Sequence, residues 1–123
     1  VLASEQRLAA LHCGWRPVAA GLIEKVARNF ASERFTAAIG PGICQEHFEV
    51  GSEVLEAMGA SALGFTDGRN FDLVGAIEHR LQVAGAETVH AVDRCTYCEP
   101  ELFFSHRRDG EHTGRQAGVA WRI

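Results

Sequence analysis

Residues 7–31 change their hydrophobic period once, and that change constrains the fold more than any other feature. From Arg7 to Cys13 the side chains alternate. Leu8, Ala10 and His12 share one face, and Ala9, Leu11 and Cys13 share the other, which is the two-residue period of a strand. Gly14-Trp15-Arg16 interrupts it. Beyond Pro17, the residues Val18, Leu22, Val26 and Phe30 recur at every fourth position, the buried stripe of a helix running to about Ala31. Pro17 suits a first helical turn, where its missing N–H removes nothing. A strand passing through a tight turn into a helix is the beginning of an α/β-layered unit.

The rest of the chain continues that plan. Arg34–Ile39 reads as a second strand, broken by Gly40-Pro41-Gly42. A loop from Ile43 to Val50 leads to a short helix over Ser52–Met58. Thr66-Asp67-Gly68 is a turn, and Asn70 or Asp72 caps a helix to Val83 with Leu73, Ile77 and Leu81 on one side. Gly85 stops that helix, and Thr88–Val92 is a strand. Phe103–Ser105 and Gln116–Ile123 read as two further strands around the polar loop Arg107–Gly114. The expected architecture is therefore α/β, a mixed sheet covered by helices, in one domain spanning 1–123. Val1-Leu2-Ala3 lacks an initiator Met and reads as the end of a strand. Residues 1–123 are accordingly expected to be the C-terminal part of a larger domain.

Composition narrows the partners. A hydrophobic fraction of 46% is enough for a real core. The net charge of −4 argues against nucleic acid and against an anionic membrane surface, both of which need concentrated positive charge. No apolar run approaches the roughly 20 residues that span a bilayer. Cys13, Cys44, Cys95 and Cys98 are expected as reduced thiols in a cytoplasmic protein, because a chain of this size folds without disulfides.

Three segments can carry chemistry. His12-Cys13-Gly14-Trp15-Arg16 lies where a strand gives way to a helix, the place where α/β sheets gather ligands. His12 can bind a metal or move a proton near neutral pH, with Arg16 beside it for an anion. A Cys13/His12 dyad is excluded on a strand, because neighbours face opposite ways. Second, Cys44-Gln45-Glu46-His47 and Cys95-Thr96-Tyr97-Cys98 supply three sulfurs and one imidazole, the donor set of a structural zinc site. Cys95 and Cys98 alone are also a possible redox pair. Packing thiols are the simpler expectation, since the halves are far apart and only one is a true C-x-x-C. Third, in Phe103–Gly110 the adjacent Arg107 and Arg108 point opposite ways on a strand, so one of them at most grips a phosphate. A charged hairpin loop turning at Asp109-Gly110 is the plain alternative.

Together these segments resemble the YfiH family, the bacterial laccase-domain or polyphenol-oxidase-like proteins. The resemblance rests on His12–Arg16, on Ile39-Gly40-Pro41 with Phe48–Gly51, on Asp93–Thr96, and on Phe103–Ser105 with Asp109-Gly110 and Thr113–Gln116. It departs at Cys13, where the family usually has alanine, and at Pro17, where it usually has glycine. The resemblance implies a layered fold shared with cysteine hydrolases and a zinc or copper site of two histidines and one cysteine. Within this sequence only His12 matches that ligand set, and the other two ligands are expected upstream of Val1. It also implies activity on purine nucleosides, as a phosphate-using phosphorylase or an adenosine deaminase. Arg16 and one of Arg107 or Arg108 would then hold phosphate, and His12 would be the metal ligand or the catalytic base. An amidase acting on a peptidoglycan precursor is an alternative implied by the same family. A non-catalytic module stabilised by zinc at Cys44, His47, Cys95 and Cys98 is the alternative from the residues themselves. The oxidase label is not expected to hold, because paired copper ligands of the His-x-His kind are absent.

Overall fold

The computed structural model describes residues 1–123. Strand β1 (Leu2–Ala3) turns back onto β2 (Leu8–Ala9), antiparallel, with Leu2 opposite Ala9. Ser4 holds the turn between them, its Oγ accepting from the Arg7 N–H at 2.9 Å. On its other side β1 pairs antiparallel with β3 (Thr36–Ile39), Leu2 opposite Ala37. β3 in turn pairs parallel with β6 (Thr88–Ala91), Ala37 opposite Val89. The order β2-β1-β3-β6 has a simple consequence. β2 and β3 both oppose β1, so β2, β3 and β6 run the same way and only β1 is reversed. The carboxyl ends of those three strands therefore share one rim.

Between β2 and β3 lie two helices instead of the single helix expected over Pro17–Ala31. α1 spans Trp15–Ala19 and α2 spans Leu22–Ala27, followed by a 3₁₀ turn at Arg28–Phe30. Gly21 sits between them at φ 78°, a left-handed conformation that glycine enters without a Cβ penalty. That break moves the two middle positions of the stripe on by one residue. Val18, Ile23, Ala27 and Phe30 are buried, and Leu22 and Val26 are only partly covered.

The second half follows the expected helices closely. α3 spans Ser52–Met58. The turn at Thr66–Gly68 is the tip of a small hairpin, β4 (Thr66–Asp67) against β5 (Asn70–Phe71), with Gly68 at φ 59°. α4 spans Leu73–Val83 and is capped by Asp72, whose carboxylate accepts the Gly75 N–H at 2.9 Å. Leu73, Ile77 and Leu81 are buried as its periodicity requires, and Gly85 ends it at φ 100°. One hydrophobic core joins these pieces, with Val18, Ile23, Phe30 and Phe71 most deeply enclosed. The mixed α/β architecture expected from the sequence is the one observed. No helix is long and apolar enough to cross a membrane.

Three expected strands are corrected. The strand over Arg7–Cys13 pairs only at Leu8–Ala9, and residues 10–14 are irregular. Phe103–Ser105 is not a strand: the Phe103 N–H bonds back to the Glu99 carbonyl at 3.0 Å, and Ser105 caps the short helix α5 (His106–Asp109). Gln116–Ile123 has no regular structure and exposes Val119, Trp121 and Ile123. An alternating pattern becomes a strand only where another strand accepts its backbone hydrogen bonds, and no strand of this chain does so.

Candidate functional site

The shared carboxyl rim collects the chemistry-bearing residues. His12 stands three residues past the end of β2 and is exposed. Its imidazole folds back over Gly14, so closely that a Cβ at that position would lie 3.0 Å from Nε2. Gly14 also serves as the N-terminal flank of α1. Cys13 is partly buried and packs against the core. Burial pushes its thiol pKa up, so it is a packing residue and not an activated nucleophile. Residues 1–123 bring no further pair of ligand atoms to His12: the one grouping of three or more such atoms lies elsewhere. The residues present therefore do not complete a metal centre at His12.

The three arginines fall into different surroundings. Arg16 is exposed on α1 with its guanidinium 4.3 Å from the Trp15 ring centroid. Arg107 is exposed, donates to the Glu49 carbonyl at 2.6 Å, and lies 5.0 Å from the Phe48 ring centroid. Glu49 stands three residues before α3, and α3 packs against α1, so Arg107 and Arg16 belong to connected elements. Arg108 is only part-exposed, and its fork is occupied. It donates to the carbonyls of Thr96, Tyr97 and Phe103 at 2.8–2.9 Å, and to the Asp109 carboxylate. Its donors are spent on holding the 96–97 backbone. The adjacent pair thus divides: one cation faces outward and one braces a turn.

That turn carries the second constellation. Past β3 the chain forms a 3₁₀ turn at Gln45–His47, and past β6 it turns through Cys95–Cys98. The two segments remain side by side after the strands end. Gly42 N–H bonds to the Arg94 carbonyl at 3.2 Å, and Thr96 N–H bonds to the Gly42 carbonyl at 2.9 Å. This brings the ligand atoms of Cys44, His47, Cys95 and Cys98 within 4.8 Å of one another. Cys44 Sγ lies 3.1 Å from His47 Nδ1 and 3.8 Å from Cys98 Sγ, and Cys98 Sγ lies 3.4 Å from His47 Nδ1. The His47 ring is stacked on Tyr97, centroids 4.0 Å apart. Glu99 steadies the turn from below, accepting the Cys95 N–H at 3.1 Å while pairing with Arg94. The sequence signal for this cluster was present. Distance along the chain had argued against it, and the parallel β3–β6 pairing removes that distance.

The thiols are electrostatically unequal. Burial pushes Cys44 up to about 12, helped by hydrogen bonds to its neighbours. Burial also works against the Cys95 thiolate, but the N–H groups of Cys44, Cys98 and Tyr97 outweigh it and bring Cys95 down to about 7. Cys98 is raised, chiefly by its hydrogen bond to Cys95. All four cysteines of the chain are free thiols.

A mixed sheet that presents histidine, arginine and cysteine at the ends of its parallel strands defines an α/β-layered protein of the kind that keeps ligands at one rim. The family is particular. Residues 1–123 match the family described as multi-copper polyphenol oxidoreductase laccase, and the chain belongs to it. Purine nucleoside phosphorylase YfiH of Shigella flexneri is 42% identical, the alignment covering 94% of this chain and 51% of that protein. Adenosine deaminase RL5, from an unknown prokaryotic organism, is 36% identical over 88% of this chain and 47% of its own length. The crystal structure of Neisseria meningitidis protein NMB0706 superposes with a TM-score of 0.72 at 28% identity, over 89% of this chain and 50% of that one. The chain thus spans about half the length of the curated relatives it matches.

Proposed function

We propose that residues 1–123 are the C-terminal part of the catalytic domain of a cytoplasmic enzyme acting on purine nucleosides. Phosphorolysis is the leading reaction and adenosine deamination the second. The observation that carries this reading is the exposed imidazole of His12 at the strand rim of a chain whose relatives bear those two names. In this reading His12 is a ligand to zinc, with copper the alternative, and the two remaining ligands lie upstream of Val1.

The residues in hand fit the polar half of such a reaction. Phosphate needs cations whose donors are not already used. Arg16 is exposed, and Arg107 spends a single donor on Glu49, so both have capacity. Arg108 has none to spare, and its part is to keep the 96–97 backbone in place. A phosphate held by Arg16 and Arg107 would be the nucleophile at the ribose carbon, with the base leaving on the electrons of the broken C–N bond. The cationic pair would stay fixed while charge moves from phosphate to the departing base.

The test is phosphate-dependent release of hypoxanthine from inosine, and of adenine from adenosine, by the full-length protein. His12→Ala is expected to lower turnover by at least about a hundredfold. Arg107→Ala is expected to raise KM for phosphate about tenfold, the scale of one charge-assisted contact. A His12→Ala protein with full activity and full metal content would make His12 a packing residue and end this reading. Turnover of a cell-wall precursor amide instead of a nucleoside would replace the substrate assignment.

A further inference from the structure

We propose that Cys44, His47, Cys95 and Cys98 form a closed, structural zinc site, separate from His12, which clamps together the loops that follow β3 and β6.

The distances carry the argument. Zinc binds thiolate sulfur at about 2.3 Å and imidazole nitrogen at about 2.0–2.1 Å in a tetrahedron. The edges of that tetrahedron are then about 3.8 Å between sulfurs and about 3.5 Å between sulfur and nitrogen. The observed Cys44 Sγ to Cys98 Sγ separation is 3.8 Å, and the two sulfur–nitrogen separations are 3.1 and 3.4 Å. All four ligand atoms fit within 4.8 Å. The 3.8 Å sulfur–sulfur distance is far beyond the about 2.05 Å of a disulfide, so Cys44 and Cys98 are free thiols.

The surroundings are those of a preorganised structural site. Each half is a ligand pair three residues apart, one on the 3₁₀ turn and one on the Cys95–Cys98 turn. Stacking on Tyr97 fixes the His47 ring with Nδ1 toward the sulfurs. Cys95 Sγ accepts the Cys44 N–H at 3.2 Å, an outer hydrogen bond of the kind that orients metal ligands. Four protein ligands leave no open position, which is the mark of a structural zinc. A divalent ion held by three thiolates and a neutral imidazole would carry one net negative charge. Arg108 is bonded to the carbonyls of Thr96 and Tyr97 within the turn and so braces the backbone that carries two of the ligands, its own charge being paired with Asp109. Through Arg108 the clamp reaches α5 and hence Arg107, which lies next along the chain.

The experiment is metal analysis of full-length wild type, His12→Ala and Cys98→Ser, with cobalt substitution of each. The expected result is that His12→Ala retains a zinc equivalent that Cys98→Ser has lost. Cobalt-loaded His12→Ala should show intense visible bands of tetrahedral cobalt and thiolate-to-cobalt charge transfer in the near ultraviolet. Chelation should lower the Tm of wild type and His12→Ala alike. If Cys98→Ser does not fold, the cobalt spectrum and chelation response of His12→Ala decide by themselves. Equal zinc in wild type and a folded Cys98→Ser would overturn the proposal. So would a cobalt spectrum without thiolate charge transfer, or an intact mass lowered by the two hydrogens of a Cys44–Cys98 disulfide. Because His12→Ala leaves this cluster intact, loss of activity there tests His12 alone.

Discussion

Gly14 offers a cleaner probe of His12 than deleting the imidazole does. Its backbone, φ −64° and ψ 162°, suits any residue, so Gly14→Ala should fold normally. The added Cβ would meet His12 Nε2 at 3.0 Å, and the ring must shift by some tenths of an ångström. Activity of the full-length protein is expected to fall about tenfold with Tm unchanged, since small misplacements of a reacting group are costly. An equal drop in Tm would show that Gly14 matters to the fold and not to the ring. Single residues were unevenly legible. His12 announced itself by standing between a strand pattern and a helix pattern. The choice between Arg107 and Arg108 could not be read, because the alternation that set them on opposite faces presumed a strand. Capping by Ser105 makes the segment a helical turn, and it is the carbonyls of Thr96, Tyr97 and Phe103 that claim Arg108.

Among the elements, α4 is the most predictable and the most consequential for stability. Its stripe is uninterrupted, its cap is Asp72, one of the two residues the sequence offered, and Gly85 stops it. Asp72→Ala is expected to cost about 1 kcal/mol in urea unfolding, the usual value of a lost N-cap. Arg80 does more. It projects from α4 to the Val18 carbonyl at 2.7 Å, the Ser61 hydroxyl at 2.8 Å and Glu24 at 3.2 Å, tying α4 to α1 and α2. Arg80→Met should destabilise by about 2 kcal/mol: it keeps apolar bulk but removes the donors to Glu24 and Ser61 and one of the two hydrogen bonds to the Val18 carbonyl, which keeps the Gly21 N–H. A change below the error of the unfolding curve would mean that water replaces the Arg80 donors at Glu24, Ser61 and Val18 equally well. The expected single helix divides into α1 and α2 for a definite reason: a fourfold repeat survives a glycine on paper, whereas the chain at Gly21 turns left-handed and buries Ile23 and Ala27 in place of Leu22 and Val26.

At the scale of the whole molecule, the layered architecture was legible because strand and helix periods alternate. The meeting of Cys44 with Cys95 was not, because nothing local reports that β3 and β6 are parallel neighbours. The same rim should respond to acid. Arg108 holds the Asp109 carboxylate below its ordinary value of 3.8, so the pair stabilises the fold above that value. That contribution is lost as pH falls through the lowered pKa and the carboxyl takes up a proton. The acid limb of a Tm–pH curve should therefore be shallower in Asp109→Asn than in wild type, and the two curves should not converge until below the usual aspartate range. Parallel pairing has a kinetic corollary as well. Cys44 and Cys95 stand 51 residues apart in the chain yet touch at 3.2 Å. Closing so long a loop carries a high entropic cost, so this contact is expected among the late events of assembly. Ligation at that seam would leave the folding rate nearly unchanged and act on the reverse process, lengthening the lifetime of the native state.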